Sequence, residues 1–495
     1  MTGSERLNSL RIPTLLTRNT FMFDQAEHKR YMRKIIVIAT FGGLLFGYDV
    51  GVINGALPYM AKSLGLNSLS TGLITSALLM GAVFGAILGG KLSDLVGRRK
   101  NILFLALLFF VSTLGCSIAP DIQTMMVCRF VLGFAVGGAS VTVPTYLAEM
   151  APAQSRGRMV TWNELMIVGG VLIAFISNAV LGITLGENEH VWRYMLALAM
   201  IPAVCLFFGM LTVPESPRWL VKQGREAEAK SVLERIRDEH TAGIELYNIK
   251  HAISHEQQLG KVKFRELNIP WIRRIMLIGI AVAVFSQTTG VNSIMYFGTE
   301  ILRDAGLETS AALIGNTAFG LISVLSTFAG IWLLDRAGRR PMMLVGLAGT
   351  TVILLVIAIA TSMLAGNPAM PYVVLTLTVI FLAFMQGAIG PVLWVTLSEI
   401  FPLRIRGAGM GISVAFLWIT NFFIGLTFPM MLEGFGLSGT FFAFAAIGVV
   451  GFIIMKMFFP ETKGKSLEEI EESFKQQYGV SNHSSQHEIL QEAQK

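Results

Sequence analysis

Twelve runs of mostly apolar residues constrain this chain more than any other feature. They lie near 35–57, 71–92, 101–119, 124–147, 159–182 and 194–213, then near 273–301, 311–334, 342–364, 371–397, 407–431 and 437–458. A helix needs about 20 apolar residues to cross a bilayer core of ~30 Å, and in hydrocarbon only helices and closed barrels satisfy their own backbone hydrogen bonds. The expected fold class is an all-α membrane protein with twelve transmembrane helices. Composition agrees: 53% of residues are hydrophobic and 14% charged, whereas soluble domains carry about 25% charged residues. That balance excludes a soluble multidomain enzyme.

The formal net charge of +7 could suggest a nucleic-acid partner, but its distribution argues otherwise. Of the 39 Lys and Arg, 35 fall in segments that alternate spanning puts on one side; Lys62, Arg193 and Arg303 fall on the other, and Arg129 lies within a span. This is the positive-inside pattern, which puts both termini in the cytoplasm and the protein in the cell membrane. Residues 1–34 are polar and basic with no apolar centre, so the first span itself is the expected membrane address. The expected division is a 1–34 cytoplasmic segment, a six-helix half over 35–213, a cytoplasmic linker of short helices over 214–270, a second half over 271–459 and a cytoplasmic tail over 460–495. That tail opens with an amphipathic helix near 466–474 and ends in a polar stretch expected to be disordered. Cys116, Cys128 and Cys205 lie in apolar runs without disulfide or metal-ligand spacing and read as core residues.

The two halves repeat. G-G-K-L-S-D-L-V-G-R-R-K (89–100) returns as A-G-I-W-L-L-D-R-A-G-R-R-P (329–341), matching Asp94 with Asp335 and Arg98-Arg99 with Arg339-Arg340. A-E-M-A-P-A-Q-S-R-G (148–157) returns as S-E-I-F-P-L-R-I-R-G (398–407), matching Glu149 with Glu399 and Arg156 with Arg406. Pro214-Glu215-Ser216 is echoed by Pro460-Glu461-Thr462. Three landmarks in one order, each at the end of an equivalent span, make an internal duplication. Paired six-helix halves with a site between them are a transporter architecture.

Residues 43–55, G-L-L-F-G-Y-D-V-G-V-I-N-G, carry the first span's one carboxylate, Asp49. A charge at membrane depth costs at least ~2.5 kcal/mol on insertion scales and marks an ion or substrate path more often than not. Glycines 43, 47, 51 and 55 form a stripe against which another helix can pack. Asp49 points away from it, about 200° round the helix from Gly47. Arg129 in the fourth span comes to nearly the same depth, counting ~1.5 Å of rise per residue from either edge. A buried Asp–Arg pair holds the carboxylate ionised, and loss of the arginine favours protonation. Such a pair is a proton switch if its separation changes, or a static tie between two helices if it does not.

These residues and motifs resemble the sugar porters of the major facilitator superfamily, from about residue 33 to 474. The G-x-x-x-D-x-x-G-R-R-[KR] loop marks the superfamily; P-E-S-P-R-W-L (214–220), P-E-T-K-G (460–464) and Q-x-x-G-V-N-x-x-x-Y (287–296) are specific to sugar porters. N-E-L-M-I-V (163–168), G-V-N-S-I-M-Y-F-G-T-E-I-L (290–302) and L-W-I-T-N-F (417–422) are most similar to bacterial myo-inositol permeases. The resemblance implies proton symport, because the family position matching Asp49 is Asp in proton symporters and Asn in facilitators. It implies sugar or polyol contacts from Gln287, Asn292 and Trp394, a cavity wall at Trp418, and closure over the site by Tyr296 and Phe297. Amides suit this ligand class because they donate and accept together, as hydroxyls do. Packing alone remains the commoner use of a tryptophan such as Trp418.

The duplicated charges suit a cytoplasmic latch. Arg98, Arg99, Arg158, Arg339, Arg340 and Arg406 would face Asp94, Glu149, Glu215, Asp335, Glu399 and Glu461 and hold the halves together when the site opens outward. The alternative is a solvated charged rim worth ~0–1 kcal/mol per pair. Two departures from the family stand out: Ser286-Gln287 where Gln-Gln is common, and Glu164 where the fifth span usually has Gln. Glu164 could contact substrate, titrate as a second proton site or pair with an arginine. Leu417 also replaces a polar family residue.

G-F-A-V-G-G (133–138) mimics a dinucleotide fingerprint but lies mid-span with no strand before it. The scattered histidines suggest no metal site, and no cofactor or nucleophile–base pair is expected. The expected function is a proton-coupled symporter importing a polyol or hexose, myo-inositol favoured, working as a monomer in lipid with no nucleic-acid partner. The rivals are a facilitator of the same fold, in which Asp49 is structural, and a sugar sensor; a membrane enzyme lacks any catalytic constellation.

Overall fold

The computed structural model describes residues 15–152, 156–259, 267–402, 405–464 and 467–478. Among them every regular element is helical. The first half comprises α1 (Leu15–Leu64), α2 (Ser68–Val96), α3 (Arg98–Ile118), α4 (Ile122–Met150), α5 (Arg156–Leu185), and α6 (Val191–Ala197) with α7 (Met200–Leu211) as one interrupted crossing. Three short helices follow: α8 (Pro217–Lys222), α9 (Glu226–Ile236) and α10 (Glu239–Leu259). The second half comprises α11 (Pro270–Gln287) with α12 (Val291–Asp304), α13 (Thr309–Ala337), α14 (Arg339–Met363), α15 (Met370–Phe384), α16 (Gly390–Glu399) and α17 (Arg406–Phe458), and α18 (Leu467–Tyr478) follows it. Helices α8–α10 mark the linker end of the bundle; the α1–α2 and α12–α13 turns lie at the far end.

Among the described residues eleven helical stretches are long and apolar enough to cross a membrane. The last, α17, has 53 residues and turns at Gly436, where φ is 65°. At ~1.5 Å per residue it is far longer than one bilayer, so it supplies two crossings and the total is twelve. Helix α1 begins some twenty residues before the apolar run. Nothing between Leu15 and Lys34 is Gly or Pro, so the helix continues beyond the apolar zone rather than starting with it.

Glycine sets how closely the helices approach. The 43–55 stripe lies on α5: a methyl added at Gly43 would meet Asn163, one at Gly51 would meet Ala174 and Val171, and one at Gly47 would overlap the Ile167 carbonyl. Gly81, Gly85 and Gly89 lie in the same way on α4 backbone, and Gly133 and Gly137 face α2 in return. The 133–138 stretch is therefore a helix-packing surface. Cys116 is buried in this half, but Cys205 is exposed on the outside of the bundle, so it is not the core residue its apolar run suggests. At the linker end Trp219 anchors α8 through Nε1 donating to the Asp94 carbonyl at 2.9 Å. Helix α18 buries Ile470 and Phe474, packs on α11 and sets Lys475 over the Trp271 ring.

Candidate functional site

Arg129 Nη1 donates to Asp49 Oδ1 at 3.2 Å, joining α4 to α1 on the side away from the glycine stripe. Both side chains are almost wholly inaccessible, at 1% and 4% exposure. Among the described residues this is Arg129's one hydrogen bond, and its Nε has none. A guanidinium has five donors, so the pair is under-satisfied for its depth and has little besides its partner to hold it.

The seventh crossing is broken where the Q-x-x-G-V-N motif lies. Helix α11 ends at Gln287, Gly290 takes φ 82°, and α12 starts at Val291. The break turns Gln287 and Asn292 together: Asn292 Nδ2 donates to Gln287 Oε1 at 2.6 Å, and Gln287 Nε2 to Ser286 Oγ at 3.2 Å. The serine hydroxyl thus accepts from one of the two N–H donors of the Gln287 amide. Trp418 packs on Phe46 of the other half, ring centroids 5.7 Å apart, and its buried Nε1 has no hydrogen-bond partner among the described residues. The tenth crossing is also irregular, with a π-helical turn at Met385–Ile389 just before Trp394. Trp394 is more than a third exposed, and no hydrogen bond or ring contact joins it to the Gln287 cluster among the described residues. Glu164 is half-buried and makes no hydrogen bond or ion pair among the described residues. Such broken helices with polar side chains at the break are how transporters build sites at mid-membrane.

A second break, at Phe297 (φ −118°, ψ 16°), bends α12 beyond the amide cluster. Tyr296 and Phe297 are both buried there, and Phe297 stacks on Phe428 at 5.1 Å. The far end is closed by contacts between halves. Asn54 of α1 bonds to Met295, Thr299 and Asn316, Ser68 bonds to Glu433, Gly72 faces the Leu426 backbone, and Leu313 packs over Gly182.

At the linker end each duplicated charge set closes within its own half. Arg98 forks Glu149 (Nε–Oε2 2.9 Å, Nη2–Oε1 3.1 Å) and also pairs with Asp94 at 2.8 Å, while the Ser216 hydroxyl donates to Glu149. Arg339 forks Glu399 (Nε–Oε2 3.2 Å, Nη2–Oε1 2.9 Å), and the Thr462 hydroxyl takes the place of Ser216. Glu215 and Glu461 accept from the backbone N–H groups that open α3 and α14, of Arg99 and of Arg339 and Arg340. Gly97 and Gly338 (φ 104° and 92°) let each carboxylate approach, since a Cβ there would collide with it. This explains why G-R-R and P-E recur together. Partial burial works against ionisation of Glu461, yet four backbone N–H donors, from Lys463, Arg340, Arg339 and Thr462, hold its carboxyl below the usual range. The side chains of Arg99 and Arg340 cap carbonyls at the ends of α7 and α17. Arg406 Nε donates weakly to the Phe401 carbonyl. The side chains of Arg158 and Asp335 lie outside the described residues.

Sequence reasoning passed over Asn54, Thr299 and Asn316. The signal was present, since Asn54 lies in the same stretch as Asp49, but an amide in a span reveals its partners only when packed.

This bundle of two halves, with broken helices around an amide cluster and a buried ion pair, is matched over residues 35–474 by the family model for "Sugar (and other) transporter". The chain belongs to that family of membrane transporters. It is 60% identical to the major myo-inositol transporter IolT of Bacillus subtilis over 456 residues, which are 92% of this chain and 96% of that protein. Among solved structures it is similar to the xylose transporter XylE of E. coli in a partially occluded inward-open form. There the TM-score is 0.78 at 31% identity, with 88% of this chain and 100% of the other covered. The proton:xylose symporter XylE bound to 6-bromo-6-deoxy-D-glucose gives 0.75 at 31% identity, covering 90% and 100%.

Proposed function

We propose that this chain is a proton-coupled symporter that imports a polyol or hexose, myo-inositol favoured, by alternating access. The observation that carries the reading is the Asp49–Arg129 pair, a lone carboxylate and a lone guanidinium buried 3.2 Å apart in adjacent spans. A proton on Asp49 removes the charge that holds Arg129, so protonation and rearrangement of α1 against α4 are one event. The 60% identity to a myo-inositol transporter and the likeness to a proton:xylose symporter support substrate and coupling.

In this reading Gln287 and Asn292 fork neighbouring hydroxyls, Trp394 and Trp418 give apolar walls, and the unpaired Trp418 Nε1 offers a donor to the ligand. Glu164, also unpartnered, accepts from a further hydroxyl. Tyr296 and Phe297 close the far end, which faces outside, and the linker end with both termini faces the cytoplasm of a cell-membrane monomer. The charge sets, each closed in its own half here, meet across the linker end when that end shuts. Uptake of labelled myo-inositol into vesicles, with glucose, xylose and other polyols as competitors, tests the substrate assignment. Preference for a substrate that is neither polyol nor sugar refutes it.

A further inference from the structure

The amide of Asn54 is spliced into the bend of α12. In an unbroken helix the Thr299 N–H donates to the Met295 carbonyl, four residues back. Here the helix is broken at Phe297, between them, and one side chain from the other half holds both ends of that bond. Asn54 Nδ2 donates to the Met295 carbonyl at 2.7 Å, and Asn54 Oδ1 accepts from the Thr299 N–H at 2.9 Å. The Thr299 hydroxyl also donates to Oδ1, at 2.5 Å, and Asn316 Nδ2 reaches both Oδ1 (3.1 Å) and Thr299 Oγ1 (2.7 Å). Every member is buried. Gly298 makes room, because a Cβ there would lie 2.9 Å from Asn54 Nδ2 and 2.7 Å from Asn316 Oδ1.

We infer that Asn54 is the positioning residue that makes bending of α12 and closure of the far end a single step. Without it the bent helix carries an unpaired buried carbonyl and N–H, each costly in a dry site. A straight α12 re-forms its own bond and has no such need. The bent, closed form therefore exists only while α1 is docked, and the docked α1 is the helix that carries Asp49. Neither Gln287 nor Asn292 bonds to Asn54, so the residue acts through the gate rather than on the sugar.

This rests on the alternating-access reading, which uptake by the unmodified protein tests separately. The experiment compares the parent chain, Asn54→Ala and Gly298→Ala, each with and without Leu313→Cys, a site buried between the halves at the far end. One readout is hydrogen exchange of the 295–300 segment, with α14 as the control that reports general unfolding. The other is labelling of Cys at 313 by a membrane-impermeant maleimide from the far side, corrected for the native cysteines. Both substitutions are expected to speed exchange at Thr299 and labelling at 313 by tenfold or more, with α14 unchanged. Faster exchange at Thr299 with unchanged labelling overturns the inference and leaves an ordinary interhelical bond. No change in either readout overturns it too. If Asn54→Ala fails to fold, Gly298→Ala, which leaves Asn54 in place and crowds the amides of Asn54 and Asn316 and the edge of the Phe319 ring, carries the same test.

Discussion

Replacing Gly51 by alanine tests how far the α1–α5 contact depends on an absent side chain. The new Cβ would lie 2.8 Å from Ala174 Cβ, 2.9 Å from the Val171 carbonyl oxygen and 3.3 Å from Val171 Cα, where ordinary contact begins at 3.4 Å. None of these atoms is the end of a flexible side chain, so the helices must part by about 0.5 Å. A gap of ~0.5 Å forfeits about a quarter of the dispersion well wherever it opens, and here it opens along the whole stripe. Overpacking of this kind costs ~1–3 kcal/mol, against which alanine regains ~0.8–1 kcal/mol of helix propensity. Packing wins over most of that range, and the net loss is about 0–2 kcal/mol. Gly169 on α5 is the control: a Cβ there meets nothing within 4 Å, so Gly169→Ala keeps only the propensity gain. Thermal unfolding in detergent should show Gly51→Ala melting lower than the parent and Gly169→Ala equal or higher. Equal shifts for the two would refute the claim that close backbone approach requires the glycines.

Three further outcomes follow from the site. On the proposed contact of Glu164 with the sugar, Glu164→Gln removes a charge-assisted hydrogen bond to the ligand worth ~1.5–3 kcal/mol, so glucose should compete against labelled myo-inositol about tenfold better; an unchanged ratio with slower turnover moves Glu164 from the sugar to the gate. Arg98→Ala and Arg339→Ala should destabilise additively to within ~0.5 kcal/mol in the conformation described, since each fork closes in its own half; a larger coupling energy would show that the sets are joined there. The Glu461 carboxyl is held below its usual range, so its cap is fully stabilising above ~4.3 and is lost as pH falls through the lowered value. The melting difference between the parent and Glu461→Gln should shrink on acidification below pH 5, and a constant difference would contradict the cap.

Much of this was legible in the sequence because single-residue chemistry and spacing determine it. Run length fixed the crossings, four-residue spacing put the glycines on one face, and depth counting brought Asp49 to Arg129. The repeated G-R-R and P-E marked two equivalent helix starts before their geometry was known. The breaks at Gly290 and Phe297 were not legible, since an apolar run looks alike whether its helix is continuous or bent. The first is set by a left-handed glycine, the second by an amide from another helix. The extension of α1 to Leu15 was missed because polarity ends a span without ending a helix. Local closure of the charge sets was missed because sequence pairs opposite charges without saying which lie in reach.

In the proposed function Asp49 couples sugar movement to protons, and accumulation in vesicles measures that coupling. At 100 mV one charge carries ~2.3 kcal/mol, which supports about a fifty-fold gradient of sugar per proton. The parent protein should therefore concentrate myo-inositol when a proton gradient is imposed and lose it when the gradient is collapsed. Asp49→Asn leaves Arg129 buried without its charge partner, a cost of ~3–5 kcal/mol, so exchange of labelled for unlabelled inositol serves as the check that the variant is folded. With exchange retained, Asn at 49 should hold the inside-to-outside ratio at one whatever the gradient. Accumulation by that variant at the parent level would contradict the account.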